Sequence, residues 1–260
     1  MSVFEATANS LYHAFVEPLV RDPLGRQRIK LAWYVWGYWH LFKFAGPVSL
    51  AERLGLLWRF LRVDWHVLHG HSPSEVAQIA VAAFRNGHGE TGTFVEAGCW
   101  NGGSSSKFSH ICAMLGYQLH IYDSFQGVED VSSVPGEWDF SGQYSAAEGT
   151  VRKNIQLFGR PEVCTFHPGW FSDTLARDGA VGPVKVAYID CDIAKGTKEA
   201  LQGIMPNLSD GGLLYSQDYH ISPVRNLLNN PDTWDRYSVP VPQVRQLARR
   251  LAVFAWPQTS

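Results

Sequence analysis

Thr93-Phe94-Val95-Glu96-Ala97-Gly98-Cys99-Trp100-Asn101-Gly102-Gly103-Ser104 is the stretch whose reading decides the fold. A short apolar run, Phe94 and Val95, leads into an acid and then a glycine-rich turn. Behind the turn, Ser105, Lys107, Phe108, Ile111, Cys112, Met114 and Leu115 suit a helix. Strand, tight loop and helix in that order form the opening unit of a doubly wound α/β domain. The glycines let backbone approach a ligand closely, and the helix start offers unpaired N–H donors. The spacing Gly98-x-x-x-Gly102-Gly103 does not fit the G-x-G-x-x-G dinucleotide fingerprint. Such a turn can also be a plain connection that binds nothing.

Working outward, Ser72-Pro73-Ser74-Glu75 reads as a helix start, with the cap ahead of a proline in the first turn. That helix runs through Val76, Ile79, Ala80, Ala83 and Phe84 and stops at Asn86-Gly87. Downstream, Leu119-His120-Ile121-Tyr122-Asp123 is a second strand ending in an acid. Gln126–Gly149 is polar and turn-rich, and reads as a mobile lid over a site. Thr150–Phe158 is helical, and Val163–Phe166 is the third strand. Val184–Asp190 is a nearly continuous apolar run suited to the middle of a parallel sheet. Thr197–Leu208 is the next helix, stopped by Ser209-Asp210-Gly211-Gly212, and Leu213–Ser216 is a further strand. Val239–Arg250 and Leu251–Trp256 read as a helix and an edge strand. At least five strands alternate with helices, which makes the fold α/β, a doubly wound and mostly parallel sheet.

The N-terminal part has a different character. Residues 1–24 read as a weak helical arm ending at Pro23-Leu24-Gly25. Lys30–Phe44 is rich in tryptophan and tyrosine, and too short and polar for a membrane span. Leu50–Leu68 places Leu54, Leu57, Trp58, Leu61 and Trp65 at helical spacing. This aromatic block has three readings: packing on the main domain, a pocket wall or dimer surface, or a peripheral membrane contact. The organisation expected is an N-terminal helical, aromatic-rich extension over residues 1–71 and a catalytic or binding domain over 72–260.

With 260 residues, 45% of them hydrophobic and 18% charged, the composition is that of a soluble globule. A net charge of −2 gives no reason to expect nucleic acid or an anionic membrane as partner. Four cysteines without CxxC spacing argue against a disulfide framework or structural zinc and fit a reducing cytoplasm. Met1–Ser10 lacks the basic region and apolar run of a signal peptide. The expected partner is a small molecule, and the chain is expected to form a homo-oligomer.

Glu96, Asp123, Asp190 and Asp218 each stand at a strand end, where an α/β sheet forms its ligand crevice. A carboxylate at the second strand can accept both hydroxyls of a ribose. Asp190 and Asp218 could together hold a divalent cation through oxygen, or serve as helix caps and loop anchors. His220 beside Asp218 is the candidate general base, with His167 behind it. Asp192 and Lys195 lie close in sequence.

Phe94–Ser104 resembles the first motif of class I S-adenosylmethionine-dependent methyltransferases. Tyr122-Asp123-Ser124-Phe125-Gln126-Gly127, Pro168–Leu175 and Asp190-Cys191-Asp192 narrow the likeness to the macrocin O-methyltransferase family. Those enzymes methylate sugar hydroxyls in the biosynthesis of antibiotics and related natural products. The resemblance spans roughly Ser72 to His220 and implies a Rossmann-like methyltransferase sheet. It implies that Glu96, Ala97, Gly98, Cys99, Trp100, Gly102 and Ser104 cradle the methionine part of S-adenosyl-L-methionine. Asp123 and Ser124 would hold the ribose, Trp170 and Phe171 would border the adenine, and Asp190 would stand near the reacting end. It further implies magnesium held by Asp190, Gln217 and Asp218, with Gln217 where the family has an aspartate. Two alternatives stay open at this point. One is an S-adenosylmethionine-binding protein without metal-dependent transfer, and the other a Rossmann-type NAD(P) oxidoreductase.

Overall fold

The computed structural model describes residues 31–43, 46–87 and 91–256. The helical arm expected over residues 1–24 lies outside them. Residues 31–37 are helical, followed by α1 (Trp39–Lys43), α2 (Leu50–His66) and α3 (Pro73–Gly87). The alternating part then runs β1 (Thr93–Ala97), α4 (Gly103–Leu115), β2 (Gln118–Asp123), α5 (Glu148–Phe158), β3 (Cys164–Pro168) and the single turn α6 (Leu175–Asp178). It continues with β4 (Val184–Ile189), α7 (Ala194–Ile204) and β5 (Leu208–Ser216). The chain closes on α8 (Ser222–Asn229), α9 (Pro231–Asp235), β6 (Gln243–Gln246) and β7 (Ala252–Ala255).

The seven strands are ordered β3-β2-β1-β4-β5-β7-β6. The first five are parallel, and β7 and β6 join antiparallel. Strand order reverses between β1 and β4, and such a switch point opens a crevice at the strand C-termini. Both central strands are buried, because helices cover both faces of the sheet. On one face Phe94, Phe108 and Tyr188 pack ring on ring, with Phe60 and Phe84 of the N-terminal helices in the same core. On the other, Val95, Ala187 and Ile189 meet Leu201, Ile204, Trp234 and Phe254. The start of α3 is a capping box. The Ser72 hydroxyl accepts from Glu75 N (3.3 Å), and the Glu75 carboxylate accepts from Ser72 N (2.6 Å).

Several expectations need correction. Residues 243–246 form the edge strand β6 rather than part of a helix over Val239–Arg250, and β7 lies inside the sheet between β5 and β6. Val244, Leu247 and Leu251 imitate a helical repeat, but pairing with the buried strand Ala252–Phe254 outweighs it. Ser209–Gly212 do not end a helix short of β5; they lie within it, where the pairing with β4 slips register. Helix α7 begins at Ala194, three residues earlier than expected. On α2 the inward face carries Leu56, Phe60, Val63 and Asp64, while Leu54, Trp58 and Trp65 face outward. That face carries Leu56 and Phe60 into the core and brings Asp64 against Lys107 of α4.

Candidate active site

One cavity of about 590 Å³ opens above the carboxyl ends of the central strands, a volume typical of a cofactor or small-molecule site. At its floor the β1–α4 turn brings Gly98, Cys99, Trp100, Gly103 and Ser104 to the wall. Gly98 has a φ of +90°, and a Cβ there would run into the Asp190 carbonyl oxygen; only glycine lets the two strand ends approach so closely. Trp100, Phe125 and Asp192 hold positive φ without being glycine. All three sit on the strand-end loops, where strained backbone collects at functional sites.

At the end of β2, both Asp123 carboxylate oxygens accept a backbone N–H, Oδ2 from Cys99 and Oδ1 from Phe125, each at 2.7 Å. The carboxylate therefore ties the first loop to the second. Each oxygen keeps a lone pair for a further donor such as a ribose hydroxyl. Ser124, Gly169, Trp170 and Phe171 line the same end of the cavity.

At the other end Asp190, Asp192 and Asp218 bring carboxylate oxygens within 4.8 Å of one another. The Asp218 Oδ2 accepts from the N–H groups of Cys191 (2.8 Å) and Asp192 (2.9 Å), and the Tyr188 hydroxyl donates to Asp190 at 3.1 Å. Burial, reinforced by the Asp218 charge, pushes Asp190 well above the usual carboxylate range. The same causes raise Asp192 to about 7, and burial raises Asp218 to about 6. Three crowded acids of this kind call for protons or a cation. Gln217 lines the cavity beside them. Its Nε2 donates to Glu75 Oε2 (3.1 Å), which leaves its buried Oε1 as an acceptor without a partner.

His220 also lines the cavity. Its Nδ1 is buried without a partner, and burial, with Arg250 nearby, lowers its pKa. His167 does not reach the cavity; it bonds His120 (2.9 Å) and stacks on Tyr122. Lys195 is engaged in an ion pair with Glu129. Glu96, Ala97 and Gly102 lie behind the wall rather than on it. Glu96 is fully buried, and burial raises its carboxyl to about 8, so it is neutral at pH 7. A Cβ at Gly102 would meet Val151 of α5 at 2.8 Å, which makes its role one of packing.

The lid residues Trp138, Phe140 and Tyr144 close the cavity from above. None of the described tryptophans of the N-terminal block lines it, so the aromatic wall comes from the lid and the strand-end loops. Sequence reasoning did not find His69, Gly70 or Arg250, which also reach the cavity. No local motif marks them, since they converge only through the fold.

A doubly wound, mostly parallel sheet with a cavity at its switch point is the arrangement of a Rossmann-like methyltransferase. The chain belongs to the macrocin O-methyltransferase (TylF) family, whose model matches residues 77–246. It is an O-methyltransferase, and the NAD(P) oxidoreductase reading falls. It is 30% identical over 199 residues to the 8-demethyl-8-(2,3-dimethoxy-alpha-L-rhamnosyl)-tetracenomycin-C 4'-O-methyltransferase of Streptomyces olivaceus, covering 71% of this chain and 75% of that enzyme. It is also 30% identical over 152 residues to the demethyldecarbamoylnovobiocin O-methyltransferase of Streptomyces niveus, covering 53% and 56% of the two chains. Among solved structures, that of the O-methyltransferase NovP superposes with a TM-score of 0.57 at 23% identity, over 71% of this chain and 78% of that one.

Proposed function

We propose that this enzyme methylates a sugar hydroxyl of a glycosylated small molecule, working in a reducing cytoplasm as a homo-oligomer. The observation that carries the reading is the single cavity joining the Asp123 end to the Asp190–Asp192–Asp218 cluster. The names of the two Streptomyces relatives, which point to a rhamnosylated tetracenomycin and to novobiocin, support a glycosylated acceptor.

Asp123 and Ser124 would hold the donor's ribose, Gly98 to Ser104 its methionine part, and Trp170 and Phe171 its adenine. The residues at the far end fit a divalent cation, with magnesium the first to test. Their donor set is three carboxylates with raised proton affinity and one unpartnered amide oxygen. Asp190, Asp192 and Asp218 would be its acidic ligands and Gln217 a neutral one, so Asp192 restores the charge that Gln217 lacks. The donor supplies an electrophilic methyl group, and a bound cation would lower the pKa of the acceptor hydroxyl. The chain's own part is alignment and proton handling. One O–C bond forms as one S–C bond breaks, and the hydroxyl proton needs an acceptor. His220, whose ring lines the cavity and whose pKa burial lowers, is suited to take it. The chain would divide into an N-terminal extension, 1–71, and a catalytic domain, 72–260, with Tyr38, Leu41, Leu56 and Phe60 of the extension packed in the domain's core.

Titration calorimetry with S-adenosylmethionine tests the donor site. We expect saturable binding, weakened about a hundredfold in Asp123→Ala by the loss of charge-assisted hydrogen bonds to the ribose. Absence of binding to the wild-type protein would overturn the site assignment. Binding without turnover on any glycosylated acceptor would overturn the sugar-hydroxyl acceptor.

A further inference from the structure

Beside the acid cluster, the first turn of α3 meets the residue that follows β5. Glu75 and Gln217 stand 142 positions apart in the chain and are only 4% and 3% exposed. They bond to each other, Gln217 Nε2 donating to Glu75 Oε2 at 3.1 Å. The Gln217 backbone is anchored too, its N–H donating to the Ile189 carbonyl at 2.9 Å where β4 ends.

The other bond of Glu75 Oε2 decides which end of the amide it meets. That oxygen already accepts from the Ser72 N–H at 2.6 Å, as part of the cap of α3, so the amide group sharing it is the donor end. The nitrogen is thereby held, and Oε1 is left buried with no donor among the described residues. Gln217 lines the cavity next to Asp218. A buried acceptor is unfavourable without a partner, and the cavity is where a partner can enter.

An unrestrained amide beside the carboxylates of Asp190, Asp192 and Asp218 has the opposite preference. Its NH2 end would turn to the acids, satisfy them with hydrogen bonds and put a donor where a cation has to sit. Glu75 removes that option by engaging the nitrogen. An aspartate at this position would need no such restraint, since both of its terminal atoms are oxygens. Glu75 therefore matters because residue 217 is an amide.

We propose that Glu75 is a positioning residue for the acceptor end of the cavity: it ties up the Gln217 amide nitrogen and so presents Oε1 to a divalent cation held by Asp190, Asp192 and Asp218. The inference rests on the cation reading of that cluster given above. Glu75 itself does not line the cavity and acts only through Gln217. The start of α3 is in this way coupled to the cluster at the ends of β4 and β5.

The test is a magnesium titration by calorimetry of the full chain as wild type, Glu75→Met, Gln217→Met and the double variant. Glu75→Met is expected to bind magnesium about tenfold more weakly, the worth of a hydrogen bond broken to turn the amide back. Gln217→Met should also bind more weakly, and the double variant no more weakly than Gln217→Met. Ser72→Ala removes the other half of the α3 cap, leaves Glu75 on Gln217, and should keep the wild-type affinity. Wild-type affinity in Glu75→Met overturns the proposal. So does an equal loss in both backgrounds, which a charge acting at a distance would give, or an equal loss in Ser72→Ala, which a loosened helix would give. A second measurement needs no Glu75 variant. The Gln217 NH2 signals in the nuclear magnetic resonance spectrum, identified by their loss in Gln217→Met, should exchange slowly with water with and without magnesium. Fast exchange overturns the proposal as well. If wild type binds no magnesium, the cation reading fails first and takes this inference with it.

Discussion

Asp192 and Asp218 hold their protons to about pH 7 and about pH 6, far above the values they would have in an unfolded chain. A carboxyl group raised on folding stabilises the protein most below its unfolded pKa and loses that contribution as pH rises through the folded value. The metal-free enzyme should therefore lose stability between about pH 4 and pH 7, opposite to the trend of salt-bridged carboxylates. A loss of 2 kcal/mol would lower Tm by about 4–8 °C in a chain of this size. Magnesium should restore the loss at pH 8 and do little at pH 5, because a cation competes with protons for the same oxygens. Differential scanning fluorimetry across pH, with EDTA and with magnesium, checks this; a Tm that does not fall between pH 5 and 8 would remove the cluster from the ledger. At this scale the sequence placed Asp123, Asp190 and Asp218 at the cavity but misplaced Glu96, which follows an apolar run yet is buried behind the wall. It was silent where a partner is distant in the chain, as with Glu75 on Gln217 or Asp64 on Lys107. Spacing carries no trace of contacts made only by folding.

The segment between β2 and α5, pinned within itself by the Val128–Gln143 and Gly142–Val128 backbone hydrogen bonds, is also tied to one helix end. Glu137 accepts from the N–H groups of Ala194 (3.1 Å) and Lys195 (2.9 Å), serving as a cap for α7 supplied from outside the helix. Glu129 pairs with the Lys195 side chain, and Val131 is buried beneath. The lid is thus latched directly beside Asp190–Asp192. Glu137→Ala should lower stability by about 1 kcal/mol, the usual worth of a helix cap. It should raise KM for the acceptor several-fold while donor affinity stays near wild type, since Asp123 and the β1–α4 turn are untouched. Steady-state kinetics paired with calorimetry reads both; unchanged acceptor KM would separate the latch from the site. Elements with a strong local signal were legible: the central strands, α3 with its capping box, and α4 after the glycines. Those decided by neighbours were not. β6 is a strand only because β7 offers it an edge, and β5 extends back through two glycines because β4 pairs with it. The short helices α8 and α9 start at Ser222-Pro223 and Asn230-Pro231, signals too brief to stand out from turns.

Taken whole, the molecule carries exposed apolar surface on its N-terminal helices that the active site does not explain. Trp33 and Trp36 are 68% and 70% exposed, Trp36 stacks on Trp39 with ring centroids 6.1 Å apart, and Trp58, Trp65, Leu54 and Leu68 are exposed on α2 and just beyond it. These side chains lie outside the catalytic cavity, and several surface tryptophans close in sequence exceed what a monomer usually exposes. No helix among the described residues is long and apolar enough to cross a membrane. Between the two remaining roles for the block, the net charge of −2 gives an anionic lipid surface no electrostatic help, whereas a second copy needs none. The homo-oligomer proposed above would then use this face, and Trp36→Glu should divide it. Light scattering after gel filtration should give a multiple of the 29.1 kDa chain for wild type and the single chain for the variant. Donor affinity should be unchanged, because the substitution is remote from the cavity wall. A monomeric wild type would end the oligomer reading. Flotation of that monomer with lipid vesicles, lost in Trp36→Glu, would reassign the tryptophans to a membrane surface, which is the one other partner their chemistry fits.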